Sequence, residues 1–400
     1  MEPTMTFPPA TPSQNVPVVQ MTPPQVKKPR RFRLALAVLL SSVALVVGAY
    51  VFYRIVNNGA TAPKPHLKIG VMVAFSGGSS SMGYGEIKGI QLAKKELSAD
   101  TIDLVQVDSR CDPSIAPEVI KKLIDQKVVA IIGDGCSSVS AAALPFANKA
   151  KIPMVSPSAS SPSLSIPGDY FFRVVPPDNF QGAFMAKTIY DKGLRHVAVF
   201  YTNESYGLGI SKVFKDKFTS LGGQVVIMTS AEPDLIQLDS QIAAIKAAKP
   251  DAIYFAPNAT VSAIAAIKLA SAAGLNVPYY GGDVLYDKTV ISNVGNAAEG
   301  LIMTSFPIGS KTFKQAIYNE YQSTDLLYGA PQAYDAFSAI YKTIQDGATT
   351  GEEIKDKLPS VSFTGVSAKI TFDKNGEISD PNYKYDLLTV KDGEIVPLNN

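Results

Sequence analysis

The sequence predicts an α/β protein of two Rossmann-like lobes built on parallel sheets, preceded by one N-terminal transmembrane helix. Three observations predict it. Two series of β-branched runs alternate with amphipathic stretches, one uncharged apolar run has membrane length, and the composition, 46% hydrophobic and 18% charged, is that of a folded protein. Four hundred residues exceed one ordinary domain and accommodate two lobes with an extra segment.

The extra segment comes first. Residues 1–29 hold eight prolines and almost no charge until Lys27. Such a tract cannot bury a core and reads as a disordered tail. "KKPRRFR" (27–33) then packs five cations into seven residues, and the twenty residues Leu34–Tyr53 carry no charge at all. At ~1.5 Å per residue they span ~30 Å, the hydrocarbon thickness of a bilayer. The cations hold their end in the cytoplasm and send the rest of the chain outside. A cleaved signal peptide is the competing reading, with "ATA" at Ala60–Ala62 resembling a cleavage site. Pro63 follows that site, and the region before the apolar run is longer than a signal peptide's. No cysteine lies near the run, which excludes a lipid anchor. The expectation is an uncleaved, single-pass signal-anchor at the cell membrane, with a cytoplasmic tail of residues 1–33. Residues 54–65 form a flexible linker to an extracellular or periplasmic domain.

Net charge misleads when taken over the whole chain. Of 37 basic and 35 acidic residues, seven and one lie within residues 1–65, so 30 and 34 remain in 66–400. The extracellular part therefore has no basic surplus, and nucleic acid is excluded as a partner.

From Leu67 onward the strand–helix pattern repeats. "LKIGVMV" (Leu67–Val73) predicts a strand and "GEIKGIQLAKKEL" (Gly85–Leu97) a helix; "IDLVQVD", "IAPEVIKKLIDQ", "VVAIIG", "SAAALPFANKA" and "KIPMVSP" continue the series. A second series opens at "HVAVFYT" (His196–Thr202) with "YGLGISKVFKDKFTSLG". It runs on through "QVVIMTS", "SQIAAIKAAK", "DAIYFAP" and "TVSAIAAIKLASAAG". Apolar strands alternating with helices imply parallel sheets covered on both faces, and two series imply two lobes. In such sheets the ligand lies beyond the carboxyl ends of the strands.

The loops at those ends carry Gly, Ser, Tyr, Asn and Asp, with no nucleophile–base pair. "FSGGSSSMGYGEIKG" spaces Gly83, Gly85 and Gly89 as G-x-G-x-x-x-G, which is the wrong spacing for a dinucleotide, and no GK[ST] occurs. The chain has two histidines, His66 at the end of the linker and His196 opening a strand, so a catalytic base or a zinc site lacks its residues. Neither an enzyme nor a metal or other cofactor is expected. The two cysteines, Cys111 and Cys136, follow consecutive strands and lie on the oxidising side of the membrane. Adjacent parallel strands would bring their loops together, so a disulfide is expected.

The stretch "VDSRCDPSIAPEVIKKLIDQKVVAIIGDGCSSVSAAALPFANKAKIPMVSPSASSPSL" resembles the core signature of bacterial branched-chain amino-acid (leucine/isoleucine/valine) binding proteins. These are type I periplasmic solute-binding proteins that serve ABC importers. Weaker similarity runs through "YFFRVVPPDNFQGAFMA", "VAVFYTNESYGLG", "GGDVLYD", "AAEGLIMTS" and "AYDAFSAIY", covering about residues 67–400; the N-terminal helix is a departure from the family pattern.

The resemblance implies a two-lobe clamp, joined by three chain crossings, that closes on an amino acid and presents it to a membrane permease. Residue by residue, it implies Ser137 as the ligand carboxylate's partner, with Ser158 and Ser160 holding carboxylate and ammonium. Tyr206 becomes a contact from the second lobe, Asp283 the ammonium's acceptor, and Tyr334 the aromatic facing the ligand side chain. Met82 stands where these binders place an aromatic wall, and Asn258 where they have a tyrosine. The physical reading agrees. A helix N-terminus supplies N–H groups for a carboxylate, and a loop aspartate supplies a charge-assisted acceptor. Lobe 1 is expected at 66–176 plus 307–362 and lobe 2 at 177–306 plus 363–400. The rival function is a membrane-bound amino-acid or amide sensor using the same clamp. It is disfavoured because no second span or cytoplasmic effector follows the domain.

Overall fold

The computed structural model describes residues 42–50, 66–323 and 328–398. The chain divides at Lys64/Pro65 into two units. In the first, residues 42–50 are helical and exposed. The rest of the expected membrane run Leu34–Tyr53, the proline-rich tail and the linker lie outside the described residues. Among the described residues no helix is long and apolar enough to cross a membrane.

The second unit opens with β1 (Leu67–Val73), α1 (Ser80–Glu96), β2 (Ile102–Asp108), α2 (Ala116–Asp125), β3 (Ala130–Gly133), α3 (Ser137–Ala150), β4 (Met154–Ser156) and β5 (Phe171–Arg173). These strands form one all-parallel sheet in the order β2-β1-β3-β4-β5. The apolar run of β1 explains its place beside the centre. Ile69, Val71 and Val73 face one core, with Ile90 of α1, and Met72 faces the other, with Ile120, Ile131 and Val139. A strand covered on both faces needs a continuous apolar sequence, which β1 has. At the end of β3, Gly133 takes a φ of +116°, and a Cβ there would meet the Met72 carbonyl oxygen at 1.9 Å, so the turn into α3 admits only glycine.

The chain then enters α4 (Asp178–Asp191), β6 (His196–Thr202), α5 (Ser205–Ser220), β7 (Gln224–Ala231), α6 (Asp239–Ala248), β8 (Ala252–Ala256), α7 (Thr260–Ala272), β9 (Tyr279–Gly281), α8 (Lys288–Val294) and β10 (Ile302–Ser305). It returns through α9 (Lys311–Tyr321), α10 (Ala330–Gln345), α11 (Gly351–Lys357), β11 (Ser362–Thr364) and β12 (Lys369–Thr371), and ends in β13 (Asp386–Lys391) and β14 (Glu394–Pro397). The second sheet has the order β14-β13-β10-β9-β8-β6-β7, with β13 and β14 antiparallel and the others parallel.

Two features depart from the sequence reading. The second sheet carries an antiparallel hairpin as well as parallel strands; it turns through Asp392 and Gly393, both at positive φ, the pairing that a tight hairpin requires. Residues 363–372 do not belong wholly to lobe 2, because Ile370 and Phe372 pack with Ile69, Phe337 and Ile340 in the first core. The chain therefore crosses from lobe 1 to lobe 2 for the last time after β12, at 373–385, and not at 363. The other two crossings lie between β5 and α4 and between β10 and α9.

Candidate binding site

The loops following β1, β3 and β4 in lobe 1 face those following β6, β8 and β9 in lobe 2. Between them lies a small cavity, with free space of about 20 Å³, lined by Ser79, Met82, Gly135, Ser137 and Ser158 from the first set and Tyr206, Asn258, Thr260, Asp283 and Val284 from the second. Tyr328, just before α10, completes the wall. This is the crevice at the carboxyl ends of strands where open α/β sheets bind ligands. The lobes touch across it: Ser79 Oγ donates to the Asn258 carbonyl at 3.2 Å and Thr260 N–H to the Gly78 carbonyl at 3.0 Å. At another rim Ser161 Oγ donates to the Ser205 carbonyl at 2.9 Å.

On the lobe 1 wall, Ser137 is the first residue of α3, so its hydroxyl and the free N–H groups of that turn lie together. Its Oγ accepts from Ser161 N–H at 3.1 Å, tying the two serine loops to each other. The loop before Ser137 is pinned by a disulfide between Cys111 and Cys136, with Cα atoms 5.6 Å apart, the pairing expected from the sequence. Ser158 Oγ donates to Glu86 Oε1 at 2.7 Å and stands 3.5 Å from Met82 Sδ. Met82 reaches the cavity because α1 starts at Ser80, five residues earlier than its periodicity predicts.

On the lobe 2 wall, Asp283 is 3% exposed and accepts three hydrogen bonds: Gln181 Nε2 at 2.9 Å and Tyr206 Oη at 3.0 Å on Oδ1, and Tyr328 Oη at 3.3 Å on Oδ2. Burial raises its pKa, and these donors oppose the rise. Gly282 makes the Tyr206 contact possible, since a Cβ there would fall 2.4 Å from the Tyr206 hydroxyl. Beside it stands Asp178, at the start of α4, fully buried, with no hydrogen bond to either carboxylate oxygen among the described residues. Burial, then the Asp283 charge, hold Asp178 well above the usual carboxylate range. Burial and mutual repulsion make it costly for both acids to ionise, a cost that a cation beside them would offset.

Of the residues singled out from sequence, the structure brings Met82, Ser137, Ser158, Tyr206 and Asp283 to one cavity. Ser160 is buried but does not line it; its carbonyl accepts Asp178 N–H at 2.8 Å. Tyr334 is turned away: its Oη donates to Glu96 Oε2 at 2.9 Å, and its ring packs edge-on against Phe313 at 5.8 Å. The aromatic that this part of the chain brings to the cavity is Tyr328, six residues earlier. The helix that carries Tyr334 begins at Ala330 and points it into the α9 contact.

Sequence reasoning also missed three buried ionic groups. Arg173 is completely buried, donates from Nη1 to the carbonyls of Ala159 and Ser161 at 3.1 and 2.9 Å, and pairs with Glu377 through Nη2 at 2.8 Å. It thereby shapes the serine loop. Its only signal was a cation closing an apolar strand, "FFR". Glu86 and Asp178 had no signal at all, because charged residues in amphipathic stretches ordinarily face water.

The model of the periplasmic binding protein family matches residues 66–394. The Leu/Ile/Val-binding protein of Escherichia coli is 25% identical over 333 residues, spanning 78% of this chain and 88% of its own length. Among solved structures, a leucine binding protein from Thermotoga maritima superposes with a TM-score of 0.77 and 29% identity, covering 83% of this chain and 98% of its own. The branched-chain amino acid transporter substrate binding protein of Streptococcus pneumoniae, in complex with isoleucine, superposes with a TM-score of 0.74 and 26% identity, covering 82% and 97%.

Proposed function

The chain belongs to the periplasmic binding protein family, and on that premise we propose that it captures an α-amino acid between its two lobes and delivers it to an ABC importer. It is a binding protein and not an enzyme, as its relatives are. One observation carries the ligand reading: the N-terminal turn of α3, with Ser137, and Asp283 line one and the same cavity from opposite lobes. A zwitterion needs donors for its carboxylate and an acid for its ammonium within one small space, and the two walls supply one each. The pair Asp178 and Asp283 supports the ammonium end, because a cationic group relieves the repulsion between them.

The domain works outside the cytoplasm, tethered by the uncharged run Leu34–Tyr53. Support for this comes from the five cations before the run and from the disulfide, which belongs to an oxidising compartment. Fractionation of cells expressing the full chain tests the tether: recovery with membranes is expected, and release into the periplasmic or culture fluid would overturn it.

The ligand reading is tested by a thermal-shift screen of the purified chain against the α-amino acids. A ligand with Kd ~1 µM at 100 µM adds ~2.7 kcal/mol and raises Tm by a few degrees. No shift with any of them would defeat it.

A further inference from the structure

Behind the lobe 1 wall of the cavity lies a group that head-group recognition leaves unused. Glu86, in the second turn of α1, is 0% exposed. Its Oε1 accepts from Ser158, while Oε2 has no hydrogen-bond partner among the described residues. It stands directly behind the cavity lining. A Cβ placed on Gly135 would lie 2.4 Å from Glu86 Oε1, 2.6 Å from Ser158 Oγ and 2.8 Å from Met82 Cε. Gly135, Ser158 and Met82 all face the cavity, so the missing side chain at 135 leaves the glutamate next to the ligand space.

The rest of the wall is mixed, with the rings of Tyr206 and Tyr328 beside its polar groups. Of the eleven lining residues only Met82 and Val284 present aliphatic side chains, and lobe 2 adds Asn258 and Thr260. A branched aliphatic side chain on this side of the cleft would add carbon beside a buried carboxyl that already lacks a partner on one oxygen. A hydroxyl or a carboxamide both donates and accepts, so either can pair with the carboxyl beside Gly135 whether or not Glu86 holds its proton. Burial does favour the protonated form, with the Glu86 pKa pushed up to about 8.

We propose that Glu86 is the specificity-determining residue of the cleft, selecting α-amino acids with a short hydroxyl or carboxamide side chain over branched aliphatic ones. This rests on the amino-acid reading given above.

Titration calorimetry of the full chain with serine, threonine, asparagine, glutamine, leucine, isoleucine and valine tests it, using the wild type, Glu86→Gln and Glu86→Leu. The wild type should bind the best polar member roughly tenfold or more tightly than any aliphatic one, the scale set by leaving one buried polar atom unpaired. Glu86→Gln should keep that order and Glu86→Leu should reverse it. A wild-type preference for leucine, isoleucine or valine would overturn the proposal alone, and so would an unchanged order in a folded Glu86→Leu protein. Binding of no α-amino acid would overturn the amino-acid reading and this proposal together. If Glu86→Leu fails to fold, the wild-type order still decides.

Discussion

Tyr206 donates its hydroxyl to Asp283 Oδ1 at 3.0 Å, locking the first turn of α5 onto the loop that follows β9. The same carboxylate oxygen also receives Gln181 Nε2, so Asp283 is aimed from two sides before any ligand arrives. Such an acid presents its remaining acceptor capacity in a defined direction, which is what capturing an ammonium requires.

Removing that charge should abolish tight binding. Asp283→Asn keeps the shape but leaves the ligand's cation without its counter-charge, a loss of about 2–5 kcal/mol, or roughly 30-fold and upward in Kd. Tyr206→Phe removes one neutral donor and should cost about 1 kcal/mol. Calorimetry with the ligand found by the screen measures both. Undiminished affinity in Asp283→Asn removes it from the site.

Tyr328 and Tyr334 should separate cleanly. Tyr328 lines the cavity and donates to Asp283, so Tyr328→Phe should weaken binding about fivefold, the worth of one hydrogen bond. Tyr334→Phe loses only its bond to Glu96 and should leave ligand affinity unchanged. The opposite pattern would restore Tyr334 as the ligand's aromatic.

The disulfide should matter to stability and to the grip together. It closes a separation of 25 residues, worth roughly 3–4 kcal/mol on the chain-entropy account. Replacing both cysteines by serine should lower Tm and weaken binding through a looser Ser137 loop. Melting curves and calorimetry on the double variant check this, and unaltered affinity would confine the bridge to stability.

Arg173→Met should be among the most destabilising substitutions in the protein. It strands Glu377 in a largely buried position and frees the Ala159 and Ser161 carbonyls, at a cost of about 3–5 kcal/mol. Denaturant unfolding gives the value. A change below ~1 kcal/mol would show that the pair is dispensable.

Stability should fall as pH rises from about 5 to 8. In the folded chain burial pushes Glu86 up from 4.5 to about 8 and Asp134 up from 3.8 to about 7, whereas the unfolded carboxyls ionise near their ordinary values. Between those limits the native state binds more protons than the unfolded one, so each rise in pH favours unfolding until the buried acids have titrated. Glu86→Gln should flatten the upper part of that decline, which melting temperatures at stepped pH will show. A slope unaltered by the substitution would exclude Glu86 as its source.

Much of the architecture was legible because it depends on local pattern. The strands Leu67–Val73 and His196–Thr202 have the bounds their apolar runs predict, since a strand covered on both faces must be largely apolar, and the edge strand Ile102–Asp108 keeps its predicted bounds with alternating polar residues. The motifs around Cys111, Cys136 and Ser137 were equally plain, being short and contiguous. The hairpin of β13 and β14 was less so, although "KDGE" contained its turn.

By itself the sequence determined the alternation that makes two α/β lobes, the uncharged run at the N-terminus, and most of the small polar residues that meet in the cleft. Tertiary structure alone decided which charges are buried. Glu86, Arg173 and Asp178 occupy positions where composition predicts solvent, and only the packing of distant segments removes water from them. It also decided that Tyr328 faces the ligand space and Tyr334 does not, because helix phase at a chain crossing is set by what the helix packs against. Local sequence specifies periodicity, while desolvation is a property of residues far apart in the chain, and the chemistry of this cleft depends on desolvation.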